Sequence, residues 1–229
     1  MKQVTLTYAG IRRGMRNLGM LGLFLVLPFA LAFGAAAVDQ GVTALQATVM
    51  SATVFAGAAQ FAILELWTDP LPIITISLTT LAVNARHLLL GAALAKWLNL
   101  VPLPRRLVTL MVMSDANFAD THKNLKDGGT DVGILLGGGI VLWTFWLIGT
   151  AAGAYAGNLI GDLSRFGIDV LIGAFFVTIT AADTLVPKNR LPIICAIVIA
   201  VASVNILPQG WGIIVAAIVG GAVGAFRNA

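Results

Sequence analysis

Four side chains able to pair with, hydrogen-bond or pass a proton to a solute stand inside stretches that are otherwise apolar. Arg86 and His87 are neighbours in 71–95, Gln60 lies within 45–67, and Asp115 stands at the end of 106–118. Thr80, Asn84, His87 and Gly91 follow one another at steps of four, three and four. At about 100° per residue they form one narrow helical stripe. Polar groups turned to hydrocarbon would go unsatisfied, so the stripe is expected to face protein or a water-filled cavity. Arg86 points about 100° away from it, on the side of Thr79. A guanidinium inside a bilayer is costly unless it is paired or reaches the interface, so Arg86 either ties helices together or serves a site. His87 is either a hydrogen-bonded packing residue or a proton relay.

The stretch 45–67 has the same spacing in Thr53, Gly57, Gln60 and Leu64. The run Phe55-Ala56-Gly57-Ala58-Ala59-Gln60-Phe61 is rich in small residues, which allow close helix contact or unwinding beside a ligand. Gln60 offers a donor and an acceptor, either to a zwitterion or to a neighbouring helix. Asp115, with Ser114 and Asn117 beside it, can pair with Arg86, hold an ammonium, take up a proton, or cap the next turn. Asp183 reads as an interfacial charge. Gly133 and Gly137 are followed by Gly149, Gly153, Gly157 and Gly161, the last four at every fourth residue. They make a groove for another helix, of this chain or of a partner subunit. Trp143 and Trp146 precede that groove and either pack or line a cavity. Gly220 and Gly224 form a second small-residue site. Gly137-Gly138-Gly139 lies inside a span and is no phosphate loop, and without a Walker-type lysine ATP is not the direct energy source. His87, His122 and the single Cys195 make no metal cluster, so neither a metal nor a cofactor is expected.

The elements that carry these residues must be membrane helices. Apolar residues make up 59% of the chain and charged residues 10%, with a mean hydropathy of +0.94, against about 25% charged in an ordinary soluble domain. So little polar surface cannot cover a water-facing globule, and residues 1–229 read as one transmembrane domain in a lipid bilayer. The net charge of +4 comes from basic residues between apolar runs and does not point to nucleic acid. Lys2, Arg12, Arg13 and Arg16 precede an apolar run in the manner of a signal peptide. Leu18–Val38, at about 20 residues, exceeds a typical h-region and is taken as the first span.

Full spans are predicted at 18–38, 71–95, 132–157, 166–182, 191–206 and 211–226, with the short 191–206 bracketed by Pro192 and Pro208. The N-terminal segment, Lys96, Arg105, Arg106, Lys123, Lys126, Lys188, Arg190 and Arg227 should be cytoplasmic. That needs an even number of crossings between 17 and 96, whereas three apolar segments lie there. The simplest solution makes 45–67 a broken or re-entrant helix entering from outside and 106–118 a partial helix entering from the cytoplasm. The expected fold is all-α, a polytopic bundle of about six full spans plus two broken or re-entrant helices, both termini cytoplasmic. Eight full spans is the alternative; it also keeps both termini inside but puts the basic 96–106 loop outside.

These runs are also where the chain resembles the azaleucine-resistance (AzlC) family of branched-chain amino acid exporters. The matching runs are Phe55-Ala-Gly-Ala-Ala-Gln60-Phe, Asn84-Ala-Arg86-His87-Leu-Leu-Leu-Gly91, Ser114-Asp115-Ala-Asn-Phe118-Ala and Trp143-x-x-Trp146-x-x-Gly149. Asn84 stands where the family can carry an acid, and Ala116 where an acid often follows the family's Asp. The resemblance implies a secondary transporter of the bacterial cytoplasmic (inner) membrane. It implies proton-driven export of leucine, isoleucine, valine and methionine, and a small hydrophobic AzlD-like partner subunit. On that reading Gln60, Gly57, Thr53, Thr80, Asn84 and Arg86 are the substrate-binding candidates and His87 and Asp115 the proton-coupling candidates. Gly149, Gly153 and Gly157 are the candidate partner interface. A passive channel lined by the same stripe is the alternative. A membrane enzyme with His87 and Asp115 as acid and base lacks a nucleophile or metal, and the glycine ladder alone would suit an assembly subunit.

Overall fold

The computed structural model describes residues 4–160, 177, 184–203, 206–207 and 211–228. The predicted span 166–182, with Gly161 and Asp183, lies outside the described residues apart from Val177. The described elements are helical, apart from one isolated bridge between Thr5 and Asp131. They are α1 (Tyr8–Leu21), a π-turn (Gly22–Val26), α2 (Leu27–Asp39), α3 (Ala44–Val54), α4 (Gly57–Leu64), α5 (Ile73–Asn84), α6 (Arg86–Leu98), α7 (Leu103–Met111), α8 (Asp115–Lys126), α9 (Gly133–Ile160), α10 (Pro187–Ser203) and α11 (Trp211–Asn228). Among the described residues, Tyr8–Asp39, Ile73–Leu98 and Gly133–Ala156 are long and apolar enough to cross a membrane, and Ala44–Val54 and Trp211–Phe226 are shorter apolar helices.

The first long helix begins ten residues before the predicted Leu18, because Thr7 caps it by accepting from the Gly10 N–H at 3.0 Å. It continues to Asp39 through the π-turn, where the Leu27 N–H bonds to the Gly22 carbonyl. Pro28, just beyond, would clash with a carbonyl one regular turn back, and the wider turn accommodates its ring.

α9 lies along this helix from end to end, running parallel to it. Asp131 joins their starts, accepting from the Thr7 N–H at 3.1 Å, the Thr7 hydroxyl, and the Gly133 N–H at 2.9 Å. Glycines on both sides let the backbones touch. A Cβ on Gly14 would fall on the Ile134 carbonyl, and one on Gly137 on the Ile11 carbonyl. Further along, a Cβ on Gly34 would strike the Thr150 carbonyl and one on Gly153 the Leu31 carbonyl, while Gly149 abuts Leu27 and Ala30. The groove at Gly149 and Gly153, expected to meet a partner subunit, is therefore filled by α2 of the same chain. Gly157 lies further along α9.

Two segments read as partial helices are each part of a pair of short helices that run in opposite directions along α9. In the first, α3 ends at Phe55, whose φ of +34° is left-handed, and α4 starts two residues later. Gln60 Nε2 then donates to Ser51 Oγ at 2.9 Å. A continuous helix would hold those residues about 13 Å apart along its axis, so the chain reverses. Ala44, before the reversal, and Trp67, after it, pack on one cluster with Phe29, Phe33, Phe61 and Trp146. In the second pair, the predicted 106–118 stops at Met111 and α8 starts at Asp115. Ser114 and Asn117 are helix-opening residues, and the Ser114 N–H donates to Asn117 Oδ1 at 2.6 Å. Val101, before α7, and Leu125, late in α8, meet in a second cluster with Leu94, Leu98, Val132 and Leu135, so this pair reverses too. α10 starts at Pro187 and holds Pro192 inside it rather than at its edge. Gly220 of α11 packs on Pro192 and Ala196.

The α1–α9 contact yields a stability prediction. Gly137→Leu should lower stability by about 3 kcal/mol, because the helices must part. Gly91→Ala meets open space and should be neutral or gain up to about 1 kcal/mol in helix propensity. Thermal unfolding in detergent compares the two.

Candidate functional site

The interruptions of the helices share one level along α9. A Cβ on Gly22, in the π-turn, would meet the Phe145 ring, and one on Gly57, at the start of α4, the Trp146 ring. A Cβ on Gly139 would meet the Val112 carbonyl at the second reversal. Gly139 to Trp146 spans about 10 Å of helix. The long helix Ile73–Leu98 is interrupted at Ala85, close to its middle. Arg86, just past that break, pairs with Asp115 at the second reversal, Nη1 to Oδ2 at 3.0 Å. Two helical hairpins from opposite ends of α9 thus bring their tips to the level at which α5–α6 breaks.

Each break frees backbone groups that need partners where no water is at hand. The Trp143 indole donates to the Ala52 carbonyl at 3.1 Å, at the open end of α3. Asn117 Nδ2 donates to the Val112 and Leu135 carbonyls, both at 2.9 Å, and so ties the second tip to α9. His87 Nδ1 lies 3.2 Å from the Asn84 carbonyl. A carbonyl only accepts, so Nδ1 carries the proton in that bond.

Gln60 is fully buried and saturated from within. Its Oε1 accepts from Trp146 Nε1 at 3.0 Å, its Nε2 donates to Ser51 Oγ, and Ser51 Oγ lies 2.9 Å from Thr150 Oγ1. This chain of four joins α3, α4 and α9. Ser51 and Thr150 carry no pattern that marks them as partners of Gln60; Thr150 does follow Trp146 by one helical turn.

The reversal at Phe55 dissolves the stripe Thr53–Gly57–Gln60–Leu64. Thr53 is exposed, with its hydroxyl on the Val49 carbonyl at 2.8 Å, and Gly57 faces Trp146. On α5–α6 the inward face also differs from the predicted stripe. Thr75, Thr79, Leu94 and Leu98 are buried, whereas Gly91 has open space beside it. Thr80 donates to the Ile76 carbonyl at 2.8 Å. The face on Arg86's side of the helix is the one that packs.

What remains at the break is a charged, incompletely satisfied group. Asn84 Oδ1 and Arg86 Nε at the break, with Thr79 Oγ1 about 9 Å back along α5 and Thr121 Oγ1 on α8, are buried and have no hydrogen-bond partner among the described residues. The Arg86 and Asp115 side chains are 40% and 56% exposed. Charge is not turned to hydrocarbon without strong compensation, so that exposed side calls for a water-filled space or a protein neighbour. The cluster offers a guanidinium and a carboxylate 3.0 Å apart, with the side-chain amide oxygen of Asn84 two residues before Arg86. These are complements for the carboxylate and ammonium of a zwitterion.

A helical membrane protein whose interrupted helices converge on a half-exposed ion pair is the class that fold and site define. The chain belongs to the AzlC family, described as AzlC protein, whose model matches residues 22–160. That stretch holds the π-turn, both hairpins, the α5–α6 break and α9. The inner membrane protein YgaZ of Escherichia coli (strain K12) is 25% identical over 188 residues, covering 79% of this chain and 76% of that protein. An uncharacterized membrane protein of Archaeoglobus fulgidus is 28% identical over 132 residues, covering 58% of this chain and 56% of that protein. No solved structure matches.

The Gln60 network makes a second prediction. Gln60→Leu strands the Trp146 N–H and loosens Ser51, at about 1–3 kcal/mol for each buried polar group left unsatisfied. Thermal unfolding should show the loss. Thr53→Val, on the exposed face, should move stability by less than about 0.5 kcal/mol.

Proposed function

We propose that this protein is a secondary transporter that exports neutral, mainly branched-chain amino acids across a bacterial cytoplasmic membrane. The observation that carries the reading is the Arg86–Asp115 pair at the point where the interrupted helices converge. A zwitterion needs one cation and one anion for its two ends, and interrupted helices supply free backbone groups and dipole ends near them. Arg86 takes the substrate carboxylate. Asp115 and the Asn84 amide oxygen take the ammonium. Competition between the substrate and the Arg86–Asp115 pair lets the break open and close.

His87 and Asp115 are the proton carriers in this scheme. His87 has one nitrogen committed to the Asn84 carbonyl, which leaves Nε2 for transfer. Gln60 acts by positioning, holding the first hairpin against α9. Family membership supports the export of branched-chain amino acids, the inner-membrane location suggested by the name of the Escherichia coli relative, and transport rather than enzymatic turnover. The large subunit works with a small hydrophobic partner.

The arrangement of the chain in the membrane follows the same reading. About six helices cross, both termini are cytoplasmic, and the two hairpins are re-entrant, α3–α4 from outside and α7–α8 from the cytoplasm. Cysteines introduced at Thr43 and Asp69 should both react with an impermeant thiol reagent from outside. Those at Asn99 and Asp127 should react only from inside. Labelling of Thr43→Cys and Asp69→Cys from opposite sides would replace the first hairpin with a full span.

Transport tests the site. Arg86→Ala and Asp115→Ala should each lower gradient-driven leucine flux in proteoliposomes at least 100-fold, with Arg86→Lys retaining part of it. The pair is half-exposed, so Asp115→Asn should cost less than about 1 kcal/mol of stability. Undiminished leucine flux in Arg86→Ala would sink the assignment. Absence of countertransport in the wild type would turn the reading to a channel.

A further inference from the structure

Between the first hairpin and the end of α11 lies a cavity of about 430 Å³. Its wall is apolar: Ala36 from α2, Ala58, Phe61 and Ala62 from α4, Val83 from α5, and Ile213 from α11. Gln40 and Glu65, both exposed, border it at the ends of α2 and α4 away from the breaks. The volume is that of a small-molecule site, within the usual range of about 300–1,000 Å³.

Its position relates it to the ion pair. Val83 stands three residues before Arg86 on the same interrupted helix, and Ala58 follows Gly57 at the opening of α4. One wall of the cavity therefore starts at the two helix breaks, and its other end lies with Gln40 and Glu65 at the mouth of the first hairpin. Ala58, Ala62 and Glu65 repeat at steps of four and three, so one face of α4 lines the cavity from break to mouth. Alanines at 36, 58 and 62 leave the space open, and Val83 and Ile213 narrow it. Among the described lining residues the polar ones are Gln40 and Glu65, both at the mouth.

We infer that this cavity is the slot for the aliphatic side chain of the transported zwitterion on the outer side of the breaks, and that Ala58, Ala62 and Val83 set the size it accepts. The inference rests on the exporter reading and adds to it. The ion pair holds the two charged ends common to all amino acids. The slot is what separates leucine from glycine, because apolar area buried in it scales with the side chain. A missing or added methylene in such a pocket changes selectivity about 10- to 200-fold.

Two measurements on the full chain test it, with its small partner if the two purify together. The first uses Ala62→Cys in a Cys195→Ser background, which leaves one thiol. An impermeant thiol reagent added outside should label position 62, and leucine should slow labelling at least fivefold where glycine at equal concentration does not. Equal effects of leucine and glycine would overturn the slot. The second is flux. Ala62→Phe should raise the KM for leucine at least tenfold and that for alanine less than twofold, and Val83→Ala should admit phenylalanine. Parallel changes for small and large substrates would overturn the proposal. Leucine protection of Ala62→Cys in a protein that moves no amino acid would keep the slot and overturn the exporter reading instead.

Discussion

In hydrocarbon a backbone N–H or C=O has no water to bond, so a helix can be interrupted only where protein supplies the missing partner. The rest of this structure follows from that constraint. Three helical segments are interrupted and the first long helix widens into a π-turn at Gly22–Val26, and the interruptions are held by identifiable groups: the Trp143 indole on Ala52, the Asn117 amide on Val112 and Leu135, and the His87 ring on Asn84. α9 supplies Trp143 and the Leu135 carbonyl, and it reaches the breaks because glycines bring it against its neighbours. The glycine contacts and the tryptophans thus serve one end, which is to allow irregular backbone at mid-helix.

The two reversals are not equivalent. The first is closed by a neutral network, Ser51, Gln60, Trp146 and Thr150, fully satisfied and packed beside Phe29, Phe33 and Phe61. Removing Ser51, Gln60 or Trp146 leaves a buried polar atom of another member without its partner, and the network ties the tip to α9. The second is closed by Asn117 and carries Asp115 at its exposed edge, against the helix break that holds Arg86. The first tip is therefore neutral and held on several sides, and the second is charged at its exposed edge.

The large-residue clusters fall on either side of the break level. Phe29, Phe33, Phe61 and Trp146 hold one half of the bundle, and Leu94, Leu98, Leu125, Val132 and Leu135 the other. Tight aromatic packing, with Phe29 and Phe61 centroids 4.8 Å apart, stiffens the half that contains the neutral hairpin. Between the halves lies the Arg86–Asp115 pair, with Asn84 Oδ1 and Arg86 Nε buried and without a hydrogen-bond partner among the described residues.

The sequence by itself determined the solvent, the helical class and the residues at the breaks. Composition alone excludes a water-facing globule, and Gln60, Asn84, Arg86, His87 and Asp115 are conspicuous because polar groups are costly in apolar runs. The sequence also set apart 45–67, by the distribution of basic residues, and 106–118, by its shortness, as other than full spans. Only the tertiary structure decided what those residues face. Periodicity assumes one continuous helix, so Thr53 and Gln60 read as neighbours until the left-handed Phe55 turned the chain. The Gln60 partners lie 86 residues away at Trp146 and nine away at Ser51. The ladder Gly149–Gly153 announced a close helix without saying whose, and the answer is α2. Local spacing fixes which side of a regular helix is polar. Chain reversal and the pairing of residues distant in sequence depend on hydrogen bonds and packing that exist only when the whole bundle is assembled.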